Sequence, residues 1–232
     1  MLTKVFLSPL FSFPIPWMKQ YYQNFNSLPA GWEHIIFTDM DLESSENIAV
    51  VKMNVEQFTD LVEKKTGVRP YVPVPSPKFG DMRPAFGLIF EDYLKGADFW
   101  GHTDFDMVMG DLDRFVPESV LEKCDIFSDD PGAVNGIFTL YRNESKINRL
   151  FMDCPDWRFI FTDTVYHAFD EAAFTVTVNK FAEEGKIRFT SGRRHSHDRH
   201  GVGRVEINSG HLYQDGMEIM AFHFRHTKRW PL

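Results

Sequence analysis

Two carboxylates separated by one residue, Asp104 and Asp106, follow the apolar run Phe99-Trp100-Gly101. On an extended backbone, residues two apart point to the same face, so the pair is expected to converge on one cation. Oxygen ligands suit a hard divalent ion, Mg²⁺ or Mn²⁺, more than zinc, and such an ion keeps positions open for phosphates. The same triplet recurs at Asp39-Met40-Asp41 and Asp111-Leu112-Asp113. The middle copy differs in context: a strand-like run precedes it, and glycines stand at 101 and 110. Far along the chain comes His223-Phe224-Arg225-His226-Thr227-Lys228-Arg229-Trp230, again after an apolar run. A neutral imidazole from His223 would complete a metal site with the two carboxylates, and Lys228 would meet a phosphate oxygen as a point charge. A solvated basic tail is the alternative for this stretch.

Further groups could serve the same chemistry. Lys78 and Arg83 bracket Asp81, read as a helix cap, where free amides and the helix dipole favour anions; either would contact a nucleotide. Arg83 would equally pair with Asp81 or Glu91. Asn135-Gly136 precedes a strand, and its glycine would let the backbone approach a ligand, although a plain turn explains it as well. Asp170-Glu171 opens a helix, either as ordinary acidic caps or as acceptor-side chemistry. In the second case Asp170 is the expected base of an inverting displacement and Glu171 an acceptor contact. Arg193, Arg194, His195, His197, Arg199, His200 and Arg204 crowd one glycine-flanked stretch, expected to be a mobile basic loop closing over an anion rather than a zinc site.

The elements that must position these groups follow from pattern. At 232 residues and 43% hydrophobic content the chain can bury a sizeable core, and 15% aromatic content excludes disorder. A net charge of −8 gives no general attraction to nucleic acid or anionic membrane. Cys124 and Cys154 make neither a disulfide framework nor a zinc spacing, which fits a reducing compartment. The apolar start, Val5–Trp17, is broken by Pro9, Pro14 and Pro16 and is too short to span a membrane. A soluble cytoplasmic protein is expected. Strands are read at Lys4–Leu7, His34–Thr38, Ile48–Met53, Phe99–Gly101, Asp125–Ser128, Gly136–Tyr141, Arg188–Thr190, Leu212–Gln214 and Met217–Phe224. Helices are read at Trp17–Phe25, from Asn54 to Gly67 (with Gln57 completing a capping box), from Asp81 to Gly96, and at Pro117–Cys124, Asn143–Met152 and Asp170–Glu184. Asp215-Gly216 marks a hairpin. Alternating strands and helices imply an α/β fold with a mainly parallel sheet and antiparallel C-terminal strands, as one domain over residues 1–232.

Taken together these residues resemble nucleotide-sugar glycosyltransferases of the GT-A fold. In particular they resemble a bacterial and viral GT-A-like group sharing Lys-x-x-Asp-x-Lys/Arg-Pro, Phe-Trp-Gly-x-x-Asp-x-Asp, Asp-Glu and His-Phe. The matching stretches are Lys78–Gly87, Phe99–Asp106, Gly136–Asn143, Asp170-Glu171 and His223–Arg229. The resemblance implies a GT-A-like, Rossmann-like sheet. It implies transfer from a nucleotide-diphosphate sugar, with UDP-sugar the first choice, to a glycan hydroxyl or a modified base in DNA, with Mn²⁺ or Mg²⁺ as cofactor. It also implies Asp104 near ribose and metal, Asp106 and His223 as metal ligands, Lys228 at the diphosphate, and Phe6, Ser8 and Asp39 flanking base and ribose. Related enzymes carry a glycine between the C-terminal His and Lys, where this chain has Arg225 and His226. Two rivals remain. One is a haloacid-dehalogenase-type phosphatase with Asp104 as nucleophile, for which Lys123 and Asp129-Asp130 come too soon. The other is a non-catalytic carbohydrate-binding protein that keeps a transferase fold.

Overall fold

The structure is a computed structural model, described here for residues 1–192, 195–197 and 203–225. In chain order the strands are β1 (Lys4–Leu10), β2 (Trp32–Thr38), β3 (Ile48–Lys52), β4 (Phe99–Thr103), β5 (Met107–Met109), β6 (Ile126–Ser128) and β7 (Phe138–Arg142). They continue as β8 (Phe189–Ser191), β9 (His195–His197), β10 (Val205–Asn208), β11 (His211–Gln214), β12 (Met217–Ile219) and β13 (Ala221–His223). One large sheet runs in the order β3-β2-β1-β4-β7-β6-β8. Its pairings are parallel except those made by β7. Two small sheets, β10-β11-β12 and β5-β13-β9, complete the C-terminal part. The expected mixed, mainly parallel α/β architecture with antiparallel C-terminal strands is therefore what the chain adopts.

The strand sequences explain the layering. Successive residues of β1 are apolar on both faces, which a parallel sheet covered on both sides requires. Val5 and Leu7 join one core cluster with Trp100 and Tyr141, and Phe6 joins the other with Phe99 and Phe138. Helix Val55–Thr66 covers the first face through Phe58 and Val62, and helix Met18–Asn26 the second through Tyr21 and Phe25. The capping box at Asn54 forms as expected: Gln57 N–H donates to Asn54 Oδ1 and Asn54 N–H to Gln57 Oε1, both at 2.9 Å. Asp215 and Gly216 both take positive φ at the β11–β12 turn. Among the described residues no helix is long and apolar enough to cross a membrane.

Three expectations are corrected. β1 continues through Ser8-Pro9, because its pairing with β4 stops at Phe6 and leaves one side of the strand open to a residue without an N–H. The helix expected to start at Asp81 begins earlier, as a 3₁₀ segment Pro77–Ala85 capped by Ser76. Asp81 is drawn inward by Lys78 instead of capping. The apolar run Met217–Phe224 splits at Met220, which sends β13 to a different sheet from β12. The Phe-Trp-Gly lead is itself a packing device. Trp100 stacks on Tyr141 with centroids 4.2 Å apart and donates to Asn148 Oδ1 at 2.7 Å. A Cβ on Gly87 would lie 2.3 Å from the Trp100 ring, and one on Gly101 would lie 2.3 Å from the Thr139 carbonyl of β7.

Candidate active site

Asp104 and Asp106 lie in the turn between β4 and β5, not on a strand. Their convergence therefore comes from the turn, which corrects the expectation of strand alternation. Phe105 anchors it: the ring stacks on His34 at 5.5 Å and meets Tyr21 edge-on at 5.1 Å, while Trp17 Nε1–H donates to the Phe105 carbonyl at 2.8 Å. Antiparallel pairing of β13 with β5 sets His223 opposite Met107, and Phe224 N–H donates to the Asp106 carbonyl at 2.9 Å. His223 Nε2 thereby comes 3.2 Å from Asp106 Oδ1. Ligand atoms of Asp104, Asp106 and His223 all fall within 4.8 Å of one another. Two carboxylate oxygens and one imidazole nitrogen at this separation fit a hard divalent ion such as Mn²⁺ or Mg²⁺.

Behind this cluster stands Arg83, from the 3₁₀ segment. It pairs with Asp104 and, through Nη1, with Asp170 Oδ2 at 3.4 Å. Burial opposes its charge, but Asp104 and then Asp170 more than offset this and hold the guanidinium above its ordinary pKa. Asp170 is fully buried. Burial pushes its carboxyl up to about 6, with Arg83 pulling down and Glu171 pushing up. Glu171 is exposed, and its Oε1 accepts from Gly136 N–H at 3.2 Å. A Cβ on Gly136 would stand 2.6 Å from Arg83 Nη1, 2.8 Å from Glu171 Oε1 and 3.2 Å from Asp170 Oδ2. The glycine thus admits these charged side chains. His102 supports Gly136 from below through its carbonyl at 3.2 Å. Burial, then the Arg83 charge, lowers the His102 pKa well below the ordinary value, so the ring is neutral.

The Asp170 shift carries a testable sign. Its pKa is raised above the ordinary 3.8 to about 6. The folded state therefore holds this proton more tightly, and the associated stability is fully present below 3.8 and lost as pH rises through about 6. The stability of the wild type minus that of Asp170→Asn is expected to fall across this window in urea titrations at stepped pH. A difference that rises with pH would contradict the burial of a strained carboxylate.

Clefts open around Asp104. One of about 130 Å³ is lined by Ser8, Arg83, His102, Thr103 and Asp104. A second of about 570 Å³ reaches Phe13, Trp17, Pro77, Asp104 and Asp106. A third of about 500 Å³ lies along Phe11, Phe13, Phe79, Gly80 and Arg83. They share lining residues and flank the carboxyl ends of β1 and β4, where open α/β sheets bind ligands.

The profile of the family described as "Family of unknown function (DUF6625)" matches residues 14–223. The chain belongs to this family. No curated protein matches it in sequence. Among solved structures, mouse xyloside xylosyltransferase 1 in its apo form is similar over 99% of this chain and 99% of that one, at TM-score 0.50 and 10% identity. The glycosyltransferase GlyE of Streptococcus pneumoniae TIGR4 is similar over 82% of this chain and 45% of that one, at TM-score 0.42 and 10% identity. The first likeness shows the fold: this family member has the GT-A-like, Rossmann-like sheet.

In this DUF6625 member the expected site residues separate cleanly. Asp104, Asp106, His223, Arg83, Asp170, Glu171 and Gly136 come together. Ser8 lines the small cleft, its hydroxyl 2.9 Å from His34 Nε2. Phe6 does not reach a ligand: it is 0% exposed, stacked on Trp32 and edge-on to Phe138. Lys78 does not reach a nucleotide either, because all three N–H bonds of its buried ammonium are used inside the protein. Asn135 is a turn residue, donating to the Asp129 carbonyl at 3.2 Å and accepting from Ile137 N–H at 3.0 Å. Asp39 binds Ser12 through its N–H at 2.8 Å and hydroxyl at 2.6 Å, fixing the positive-φ corner before Phe13. Asp170 does not meet an acceptor where it stands, since it is buried against Arg83, which corrects its expected place as the base of an inverting displacement.

Lys228 lies outside the described residues, as do Arg193, Arg194, Arg199 and His200. Within the expected basic loop, His195–His197 is a strand, β9, beside β13, and His195 Nδ1 is 2.9 Å from Asp129 Oδ2. Sequence reasoning passed over His102 and Tyr166. Both stand within a few residues of a flagged carboxylate, and that proximity was the available signal.

Proposed function

We propose that this chain is a metal-dependent glycosyltransferase moving a sugar from a nucleotide-diphosphate sugar, UDP-sugar first among donors, to a hydroxyl acceptor. The observation that carries this reading is the Asp104–Asp106–His223 cluster, held in clefts at the carboxyl ends of a GT-A-like sheet. A Mn²⁺ or Mg²⁺ ion held there would neutralise the diphosphate as it leaves. The name of the similar structure that shares the fold, a xylosyltransferase, agrees with the reading. Two buried free cysteines fit a reducing compartment, so we place the protein in the cytoplasm, acting as one domain.

The chain's own residues take distinct parts. Arg83 bridges Asp104 and Asp170, keeping positive charge beside the donor. Asp170 orients Arg83 from the interior. Glu171, the exposed carboxylate, accepts the hydrogen bond of the acceptor hydroxyl and takes its proton as the new C–O bond forms and the bond to the diphosphate oxygen breaks.

The first test is thermal stability with UDP, with and without Mn²⁺. A ligand at ~100 times its dissociation constant adds roughly 2.7 kcal/mol when it binds only the folded state. Stabilisation by UDP that ignores Mn²⁺ would sink the metal assignment. Glu171→Gln is expected to lower kcat by about 10²-fold, whereas Asp170→Asn, which loosens Arg83, retains more turnover. The reverse order would return the base role to Asp170.

A further inference from the structure

Lys78 and Asp81 take no part in the site chemistry, yet they hold a loop against it. Lys78 Nζ donates to Asp81 Oδ2 at 2.7 Å, to the Ile160 carbonyl at 2.6 Å and to the Val165 carbonyl at 2.7 Å. Asp81 accepts the N–H of His167 at 3.1 Å and that of Phe169 at 3.0 Å. Both side chains are buried, so one ion pair in a low-dielectric setting ties down the segment 160–169. Ala168 takes a left-handed φ of 49°, which turns the chain back into Asp170.

Tyr166 lies between two of these ties, the Val165 carbonyl and the His167 N–H, and remains 41% exposed. Its ring rests on Gly80: a Cβ there would stand 3.2 Å from both Cε2 and the hydroxyl. Gly80 and Arg83 line the same clefts. Burial first, then the Asp170 charge, pushes the phenol pKa up to about 12, with Arg83 acting against and Glu171 in the same direction. The ring therefore stands within electrostatic reach of the site carboxylates. Among the described residues its hydroxyl has no hydrogen-bond partner. Phe159 and Val165 extend the exposed apolar surface outward, with Phe159 edge-on to His167 at 5.7 Å.

We propose that Tyr166 is the acceptor-selecting residue of this site and that the acceptor it receives is a sugar ring. This rests on the transferase reading. A pyranose offers an apolar C–H face to the phenol and hydroxyl donors to Glu171, the carboxylate whose charge reaches that phenol. A phosphate-bearing strand would instead meet the exposed Glu171 carboxylate, whose charge acts on the phenol, in a chain of net charge −8.

The test uses the full chain with Mn²⁺ and a panel of UDP-sugars, methyl pyranosides as acceptor probes, and a short oligothymidine as the competing class. Tyr166→Ala is expected to raise the KM for the pyranoside about tenfold, with Tyr166→Phe within about threefold of wild type because the ring is kept. Saturation-transfer NMR from protein to pyranoside ring protons, which needs no turnover, should be lost in Tyr166→Ala and kept in Tyr166→Phe. An unchanged KM and unchanged saturation transfer in Tyr166→Ala overturn the role of Tyr166. Tyr166-dependent binding of oligothymidine without binding of pyranosides overturns the acceptor class. Failure of the transferase reading shows separately, as absence of Mn²⁺-dependent UDP stabilisation in the wild type.

Discussion

Asp106→Asn should leave the protein folded and remove its Mn²⁺-dependent binding of UDP. The main-chain carbonyl of Asp106 accepts from Phe224 N–H, and an Asn side chain leaves that bond in place. The cluster, however, falls from two carboxylates and an imidazole to one carboxylate and an imidazole, while Asp104 is already shared with Arg83. Loss of a ligand charge weakens a hard cation's hold, and loss of the cation removes several kcal/mol of leaving-group stabilisation, a turnover decrease of about 10³-fold. Titration of free Mn²⁺ by electron paramagnetic resonance reads the binding step without turnover. A control exists within the molecule. Asp111, His211 and Glu218 also bring ligand atoms within 4.8 Å of one another, but Glu218 pairs with Arg114 and His211 Nδ1 at 2.8 Å. Asp111→Asn should therefore leave the UDP effect intact. Full turnover in the presence of a chelator, or equal loss in both variants, would reject Asp104–Asp106–His223 as the working metal site.

The Asp104–Asp106–His223 cluster was legible as a grouping because its members share one chemistry. Asp104 and Asp106 are neighbours in sequence, and His223 ends an apolar strand. The route by which they meet was not legible, since the β5–β13 pairing that seats His223 opposite Met107 joins segments more than a hundred residues apart. Local pattern also captured the capping box at Asn54 and the Asp215-Gly216 turn, where the cause lies within four residues. It misread Lys78, Phe6 and Asn135, because residue type does not report burial. A lysine beside an arginine looks like an anion site until the Ile160 and Val165 carbonyls are seen at its ammonium. The Asp170-Glu171 pair shows the same limit in a subtler form. Both were flagged, but the helix turn places the first inside the protein and the second outside, a difference that residue type does not report. Phe-Trp-Gly serves packing beside the carboxylate turn. Trp100 stacks on Tyr141, and Gly101 lets β7 lie close against β4, the strand that leads into the carboxylate turn.

Lys78→Met should be strongly destabilising although it lies outside the clefts. Methionine approximates the length of the lysine stem and keeps its apolar contacts, so the change isolates the ammonium. Without it Asp81 stays buried with no cation, although His167 N–H and Phe169 N–H still donate to it, and the Ile160 and Val165 carbonyls lose their donor. Removing one member of a buried pair typically costs about 3–5 kcal/mol, against near neutrality when a surface pair is broken. For a chain of this size that corresponds to a fall in Tm of roughly 10 °C. The surface cluster at Arg69, which bonds Glu56 at 2.5 Å, Asp60 at 2.7 Å and Glu63 at 2.9 Å while remaining exposed, supplies the comparison. Arg69→Met should shift the urea midpoint far less than Lys78→Met does. Hydrogen exchange locates the effect: the His167 and Phe169 amides should lose protection in Lys78→Met before the amides of β1 and β2 do, because the pair fastens that segment and not the sheet. Equal urea midpoints for Lys78→Met and the wild type would show that the pair adds nothing. Uniform loss of protection across the sheet would show that it supports the whole fold instead of the loop that presents Tyr166.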